Sequence, residues 1–179
     1  SEMCIRDRYD VVVVGGGPAG SMAAWEIAKK GISVCMLEKD RDIGYPVRCG
    51  EAIGDAALRQ FVDPKDSWIA SKITGSTLVA PNGTDVHIEF AEESGYILNR
   101  RIFDYDLAQY AASEGAMIVC KAYVNGLLFD GDCVVGVKGE YLGEPFEVRS
   151  ELVIGADGVE SRVGRWAGLN NCLLYTSDA

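Results

Sequence analysis

The sequence lacks an apolar run long enough to cross a lipid bilayer, and other class-defining features are missing too. Its longest apolar stretches, such as residues 11–14, span a few residues, whereas a transmembrane helix needs about 20. With 17 basic and 27 acidic residues, the net charge is −10, which argues against binding to nucleic acid or through a polybasic membrane patch. Collagen-like and low-complexity repeats are also missing. What remains is the composition of a globular domain that binds no nucleic acid.

Metal-binding and disulfide patterns are equally scarce. The chain has one histidine, His87, and no Cys-x-x-Cys pair, so no metal-type ligand spacing is present. The sequence from Tyr9, where we expect the natural protein to begin, does not read as a secretory signal, and a chain of this length can build a core without disulfide bonds. We therefore expect free thiols in a reducing cytoplasm, and no metal site.

The two ends of the chain do not resemble natural protein sequence. Residues 3–7 and 172–177 back-translate to opposite strands of one DNA sequence, TGTCTCTTATACACAT, which looks like the transposon-end adapter of shotgun library preparation. We therefore expect residues 1–8 and 172–179 to be adapter-derived and not native. Residues 9–171 would then be an N-terminal fragment of a longer protein, inactive by itself.

A strand, a glycine-rich turn, a helix and a second strand are predicted at the start of the chain. Residues 11–14 form a β-branched run typical of a buried parallel strand. Residues 18–30 have helical spacing, with Pro18 at the favoured first position and Gly31 as the stop signal. A second buried strand is predicted over residues 32–37, which completes a βαβ unit of about 30 residues.

Strand and helix patterns alternate along the rest of the chain, and Asn82-Gly83 is a signal for a β-hairpin. The further predicted elements are a loop over residues 40–52, helices over 55–61, 101–114 and 159–167, and strands over 77–80, 86–90, 127–129, 133–137, 146–148 and 152–154.

The glycine-rich turn has the spacing Gly15-x-Gly17-x-x-Gly20 between a buried strand and a helix. In this context the first glycine permits a tight turn, the second lets a pyrophosphate approach the backbone, and the third lets helix and strand pack closely. The helix N-terminus offers N–H groups to the phosphates. Glu38 follows about 20 residues later, where a carboxylate accepts ribose hydroxyls and repels a 2′-phosphate. The pattern predicts an adenine dinucleotide, FAD or NAD rather than NADP.

Three later motifs carry a resemblance to a known family. Together with the glycine turn, they resemble the geranylgeranyl reductase family of flavoproteins, particularly its archaeal-type branch, which acts on membrane-lipid precursors. The loop with Cys49 is the specific part, while the other motifs are shared across the wider class with the p-hydroxybenzoate-hydroxylase fold. The motifs are Glu38-Lys39-x-x-x-Ile43-Gly44-x-Pro46-Val47-Arg48-Cys49-Gly50-Glu51, Arg100-x-x-Phe103-Asp104-x-x-Leu107 and Gly155-Ala156-Asp157-Gly158-x-x-Ser161.

The resemblance implies an α/β fold. It consists of a Rossmann-like FAD-binding domain of the p-hydroxybenzoate-hydroxylase and glutathione-reductase type, with the start of an antiparallel β substrate domain. Residues 9–61 and 100–171 would form the nucleotide domain, and residues 71–99 would begin the substrate-domain sheet. The family's second flavin-binding Gly-Asp motif and its aromatic- and proline-bearing substrate signature are absent from this sequence.

The resemblance also implies a set of FAD-binding residues. Cys49 and Gly50 would lie along the flavin, and Arg100 would reach FAD from the start of its helix. Val124 would contact the adenine through its backbone, and Asp157 would lie near the phosphates or the nicotinamide entry side. The full implied set is Gly15, Gly17, Ala19, Gly20, Glu38, Lys39, Arg48, Cys49, Gly50, Arg100, Val124, Gly155, Asp157 and Gly158.

The implied reaction is the reduction of carbon–carbon double bonds in a geranylgeranyl (polyprenyl) chain, with Cys49 as the catalytic candidate. The implied partners are a polyprenyl lipid substrate and an electron donor, either a nicotinamide, a ferredoxin or a similar carrier. The expected location is cytoplasmic, with room for a peripheral membrane contact.

Two alternative functions stay open. The first is an FAD-dependent monooxygenase of the same fold, against which only the Cys49 loop argues. The second is a non-enzymatic prenyl-binding module without flavin, against which the intact glycine turn and Glu38 argue.

Overall fold

The computed structural model describes residues 7–47, 49–90 and 94–169, which adopt a mixed α/β fold. The strands are β1 (Arg8–Val14), β2 (Val34–Leu37), β3 (Ala52–Gly54), β4 (Ile69–Ile73), β5 (Gly75–Val79), β6 (Asp85–Glu89), β7 (Gly95–Leu98), β8 (Met117–Val119), β9 (Ala122–Asp130), β10 (Cys133–Tyr141) and β11 (Glu144–Gly155). The helices are α1 (Pro18–Ala28), α2 (Asp55–Leu58), α3 (Arg100–Ser113) and α4 (Arg162–Trp166).

The chain divides into two compact units, one formed by Ser1–Pro46 with Asp104–Ala179 and the other by Val47–Phe103. The first unit contains a six-stranded sheet with the order β8-β2-β1-β11-β10-β9. The neighbours from β8 to β11 are parallel, and β10 pairs antiparallel with β11 and β9. The assignment of the units to nucleotide and substrate binding stays a prediction.

Strand β1 is buried on both faces, as its β-branched run predicts. Val12 and Val14 pack into one apolar cluster, and Val11 and Val13 pack into a second cluster on the opposite face. The second cluster contains alanines of α1 and α3, so these helices cover that face. The βαβ prediction is therefore confirmed for this part of the chain.

Two predicted boundaries of the βαβ unit were too generous. Helix α1 ends at Ala28 rather than residue 30, because the backbone forms a turn there in which Gly31 adopts a left-handed φ of +72°. Strand β2 begins at Val34 rather than residue 32. The backbone N–H of Ser33 donates to the Asp10 carboxylate at 3.0 Å, and its hydroxyl donates at 2.6 Å. These bonds hold Ser33 in the turn before β2.

Strand β11 is continuous, although its apolar pattern predicts separate strands at residues 146–148 and 152–154. Its first half pairs antiparallel with β10, and its second half pairs parallel with β1. Arg149 takes part in both ladders, opposite Gly136 and Arg8. The polar residues 149–151 interrupt the apolar pattern without interrupting the backbone pairing, which is why the pattern is misleading.

The predicted helix over residues 159–167 is also broken. A 3-10 turn at Gly158–Glu160 precedes α4, and Ser161 between them adopts a left-handed φ of +42°. A left-handed residue cannot continue a right-handed helix.

The second unit contains an antiparallel sheet with the order β3-β7-β4. These three short strands were not predicted, and helix α2 ends three residues before its predicted end. The buried side chains of the unit include Leu58, Trp68 and Phe103, with the Trp68 and Phe103 rings edge to face at 5.1 Å.

The predicted hairpin is confirmed as β5 and β6, joined by a turn in which Gly83 adopts φ +85°. Leu78 and Val86 pair directly across the hairpin and are 60% and 55% exposed. Within the described ranges, no helix has the length and apolar character needed to span a membrane.

Candidate functional site

The glycine turn after β1 is packed so closely that two of its positions admit only glycine. Gly15 adopts φ +105°, and a Cβ atom there would lie 2.3 Å from the carbonyl oxygen of Ala156. A Cβ atom on Gly20 would lie 1.9 Å from the carbonyl oxygen of Gly15. The backbone of α1 therefore begins in direct contact with the residue that follows β1. This contact fixes the N-terminus of the helix beside the glycine turn.

Gly17 differs from these two positions because it opens onto free space. It is the N-cap of α1, and a Cβ atom built on it would meet no other atom within 4 Å. No side chain caps the helix, and Ala19 in its first turn is exposed. Uncapped N–H groups beside an open glycine provide the donors and the space that a pyrophosphate needs. The residues present therefore fit the diphosphate of a dinucleotide.

Glu38 is held beside this loop by two backbone hydrogen bonds. Its Oε2 accepts from the N–H of Gly16 at 2.7 Å, and its Oε1 accepts from the N–H of Asp40 at 2.8 Å. Each carboxylate oxygen has two lone pairs, so each can accept one further hydrogen bond. The half-buried carboxylate is thus oriented before any ligand arrives, with capacity left for the two hydroxyls of a ribose.

Gly16 is a site residue that the fingerprint spacing did not identify. Its N–H orients Glu38, and a Cβ atom there would lie 2.3 Å from Cδ1 of Ile43 and 3.1 Å from Cβ of Glu38. The signal in the sequence was the unbroken run of three glycines, whereas the fingerprint counts only the first and third.

The turn between β8 and β9 fixes the backbone around Glu38. The N–H of Glu38 donates to the Val119 carbonyl at 2.9 Å, and its carbonyl accepts from the N–H of Ala122 at 2.9 Å. Cys120 lies in this turn, where burial and then the nearby Glu38 and Asp42 charges raise its pKa. Its thiol therefore stays protonated at neutral pH and adds no charge to the site.

Two other implied residues lie in this region in different settings. The Lys39 ammonium forms an ion pair with Asp40 at 2.8 Å, so its charge is already partly compensated. The Val124 side chain is buried in the first core cluster, which leaves its backbone as the part available to a ligand.

The Gly155-Ala156-Asp157-Gly158 stretch lies directly against the glycine turn. The N–H of Ala156 donates to the carbonyl of Val14 at 2.8 Å, and Asp157 Oδ2 accepts from the N–H of Val163 at 3.0 Å. A Cβ atom on Gly155 would lie 2.9 Å from Val163. Gly158 adopts φ +74° with open space around its Cα. The Asp157 carboxylate therefore holds the first turn of α4 through the N–H of Val163.

The structure brings most of the implied set together in the first unit. The residues gathered there are Gly15, Gly17, Ala19, Gly20, Glu38, Lys39, Val124, Gly155, Asp157 and Gly158.

The remaining implied residues belong to the second unit, and Arg48 lies outside the described residues. The exposed Cys49 accepts a hydrogen bond at Sγ from the N–H of Glu51 at 3.4 Å. A Cβ atom on Gly50 would meet nothing within 4 Å. Arg100 is half-buried and begins α3. Their roles toward FAD stay predictions.

Curated relatives over this part of the chain are archaeal-type reductases. The chain is 46% identical over 172 residues to digeranylgeranylglycerophospholipid reductase 1 of Methanococcoides burtonii, and it covers 42% of that protein. It is 47% identical over 174 residues to the digeranylgeranylglycerophospholipid reductase of Methanosarcina acetivorans, again covering 42%. Each match includes 94% of this chain. The chain therefore spans about two fifths of the length of these relatives.

Solved structures give the same picture for the fold. A geranylgeranyl bacteriochlorophyll reductase-like protein from Thermoplasma acidophilum matches with a TM-score of 0.84 and 40% identity, over 92% of this chain and 43% of that one. A variant of a flavin-dependent brominase matches with a TM-score of 0.72 and 26% identity, over 90% of this chain and 41% of that one. The FAD-binding domain family matches residues 8–172. The chain, with its glycine turn, its pre-oriented Glu38 and its open helix N-terminus, therefore belongs to the family of FAD-binding domains.

Proposed function

We propose that the whole protein reduces the carbon–carbon double bonds of geranylgeranyl chains in membrane-lipid synthesis, as an FAD-dependent oxidoreductase. The observation that carries this proposal is the identity of 46–48% to digeranylgeranylglycerophospholipid reductases across more than nine tenths of the chain. The chain spans about two fifths of those reductases, so we expect the activity from the whole protein and not from this chain alone.

The first unit would bind and orient the cofactor. The open Cα of Gly17 and the first turn of α1 would receive the pyrophosphate, and Glu38 would accept the ribose hydroxyls of the adenosine. FAD supplies the hydride when it is reduced and bound. The role of this unit is therefore to hold the dinucleotide in one position, at low cost because Glu38 is already oriented.

Cys49 would hold the proton that completes the reduction. An isolated alkene is poorly polarised, so hydride addition to one carbon needs a proton for the other carbon. Cys49 Sγ is exposed, and the N–H of Glu51 donates to it, which leaves the S–H bond directed elsewhere. The empty space around Gly50 permits close approach of an apolar chain. In this scheme the thiol donates its proton to the second carbon of the double bond.

The partners follow from the same scheme. The substrate would be a polyprenyl lipid precursor such as digeranylgeranylglycerophospholipid, and the electrons would come from a nicotinamide, a ferredoxin or a similar low-potential carrier. A cytoplasmic protein in peripheral contact with the membrane would reach such a substrate without a spanning helix.

Anaerobic single-turnover kinetics test the proposal. We expect the flavin-loaded enzyme that carries this chain, once chemically reduced, to be reoxidised by digeranylgeranylglycerophospholipid, with a product that has gained two hydrogen atoms per reduced bond. A monooxygenase would instead require oxygen and give a product that has gained an oxygen atom. A colourless protein that binds the lipid would support the prenyl-binding alternative.

The role of Cys49 has a separate test. A positioned acid contributes about 10²–10⁴ in rate, so Cys49→Ser should slow flavin reoxidation by a factor in this range while the flavin content stays unchanged. Cys133→Ser is the matched control, because Cys133 is also an exposed thiol but lies at the start of β10. Equal rates in the wild type and the Cys49→Ser protein would remove the thiol from the mechanism.

A further inference from the structure

The second unit contains a side-chain network that the sequence motifs did not indicate. The Tyr96 hydroxyl, on β7, donates to Oδ1 of Asp55, the first residue of α2. Arg59 donates from Nε to both oxygens of the same carboxylate, at 2.9 and 2.8 Å. Tyr96 is buried and Asp55 is half-buried, so this network ties α2 to β7, the central strand of the small sheet.

The charge states of the network suit a permanent link. The Tyr96 hydroxyl and then the Arg59 guanidinium lower the pKa of Asp55, which is therefore a carboxylate at neutral pH. Asp55 and then burial raise the pKa of Tyr96, which therefore keeps its proton and remains a donor. The link between donor and acceptor persists throughout the neutral range.

This network lies at one end of a short segment, residues 51–55, which we call the bracket. The bracket begins two residues after Cys49 and contains β3. Strand β3 has three residues and pairs with β7, with Ile53 opposite Tyr96. At its start, the Glu51 carbonyl accepts from the N–H of Leu98 at 2.9 Å. At its end, the N–H of Asp55 donates to the Ser94 carbonyl at 3.0 Å. Asp55 is therefore attached twice, through its backbone N–H and through its side chain. This second attachment reinforces a strand that pairs over only three residues.

The bracket is also tight in its middle and strained at its start. A Cβ atom on Gly95 would lie 2.2 Å from the Ile53 carbonyl oxygen, so β3 and β7 are in close contact there. Glu51 adopts a left-handed φ of +65°, which costs of the order of 1 kcal/mol in a residue with a side chain and persists only where the surroundings impose it. The N–H of this strained residue donates to Cys49 Sγ, so the thiol is bonded directly to the first residue of the bracket.

We propose that Tyr96 and Asp55 are positioning residues for Cys49: their link holds β3 on β7, which keeps Glu51 in its left-handed conformation and its N–H on the thiol. This inference rests on the proposed reduction and on the role of Cys49 in it. A displacement of about 1 Å in a reacting group can cost as much as 10²-fold in rate, so a link at Asp55, on the far side of β3 from Glu51, matters for turnover.

The test is a double-mutant cycle in the flavin-loaded enzyme that carries this chain. We expect Tyr96→Phe to lower the rate of flavin reoxidation by lipid about tenfold, with the flavin content and the KM for the lipid unchanged. In the Cys49→Ser background, the same substitution should cost less than twofold, because its effect acts through the thiol. Asp55→Asn keeps an acceptor for the Tyr96 hydroxyl and should fall between the wild type and Tyr96→Phe. Tyr105→Phe, at an exposed position of α3, is the control for the loss of a hydroxyl.

Amide hydrogen exchange separates positioning from a general loss of stability. In the Tyr96→Phe protein, the Leu98 amide should exchange at least tenfold faster, while the amides of β1 and β2 exchange as in the wild type. A tenfold loss that adds fully to that of Cys49→Ser, or an unchanged rate, would overturn the positioning role. A Cys49→Ser protein with normal turnover would instead overturn the proposed role of the thiol, independently of the cycle.

Discussion

The two units of the chain differ in how completely they bury their apolar side chains. In the first unit Val12, Val13 and Cys35 are fully buried, because the parallel sheet is covered on both faces. In the second unit every residue of β5 and β6 is exposed, including Leu78 and Val86. Burial of apolar side chains on both faces of the sheet stabilises the first unit, whereas the exposed hairpin contributes little to the free energy of unfolding. Substitutions should therefore have large effects in the first unit and small effects in the hairpin.

The largest expected effect tests the close packing of the first unit. Gly20→Ala places a methyl group against the Gly15 carbonyl and should lower the free energy of unfolding by about 3 kcal/mol. Gly17→Ala is the matched control, because its methyl group meets no atom and should change stability by less than about 1 kcal/mol. Urea unfolding measures both, and flavin retention should fall in the Gly17→Ala protein in spite of its normal stability. Equal stabilities for the two variants would contradict the close contact.

The next effect concerns the ligand rather than the fold of the same unit. Glu38→Ala removes the charged acceptor that the Gly16 and Asp40 N–H groups orient for the ribose hydroxyls. A hydrogen bond to a charged group contributes about 1.5–3 kcal/mol, so the dissociation constant for FAD should rise at least about tenfold. Flavin titration of the apoprotein measures this change. Glu26→Ala, at an exposed ion pair of α1, should leave the affinity unchanged. Undiminished flavin retention in the Glu38→Ala protein would remove the ribose assignment.

Acid should weaken both units through one carboxylate in each. The Ser33 hydroxyl chiefly lowers the pKa of Asp10, and the Tyr96 hydroxyl chiefly lowers that of Asp55, both from 3.8. A lowered pKa in the folded state gives a stabilisation that is present above pH 3.8 and is lost as the pH falls through the folded value. Asp10→Asn and Asp55→Asn should therefore flatten the acid limb of the stability curve, as measured by urea unfolding between pH 7 and pH 3. An acid limb as steep as that of the wild type in both variants would contradict the role of these two carboxylates.

The smallest expected effect lies in the exposed hairpin. Leu78→Ser should change the stability of the 179-residue chain by less than about 0.5 kcal/mol, because the side chain is already 60% exposed. Val13→Ala, at a fully buried position of β1, should cost severalfold more. A loss above 1 kcal/mol for Leu78→Ser would show that the hairpin is covered in solution and would remove the contrast between the units.

The predicted elements were correct where their signals are local. The run of valines in β1, Pro18 at the start of α1 and the Asn82-Gly83 turn each specify a structure through residues within a few positions. Strands β3, β7 and β8 were missed, because strands of three or four residues are too short for an alternating pattern, and β4 was missed because its five residues do not alternate between apolar and polar. Their existence depends on partners far away in the sequence, as when Ile53 pairs with Tyr96.

The site divides in the same way. The spacing of Gly15, Gly17 and Gly20 identified the loop. The role of Gly16, which donates its N–H to Glu38 and packs against Ile43, follows only from the three-dimensional structure. The network of Tyr96 and Asp55 has no motif, since its members are separated by 41 positions and meet through strand pairing.

The amino-acid sequence by itself determined the chemistry of this protein: a glycine turn between strand and helix, a carboxylate at the end of the second strand, and no surplus of positive charge. These features act over a few residues, where backbone sterics and hydrogen bonding leave few choices. Only the tertiary structure decided where the carboxylate of Glu38 is aimed, that β11 continues through Arg149, and that Tyr96 meets Asp55. Those outcomes depend on atoms that are distant in the chain and adjacent in space, so no local pattern specifies them.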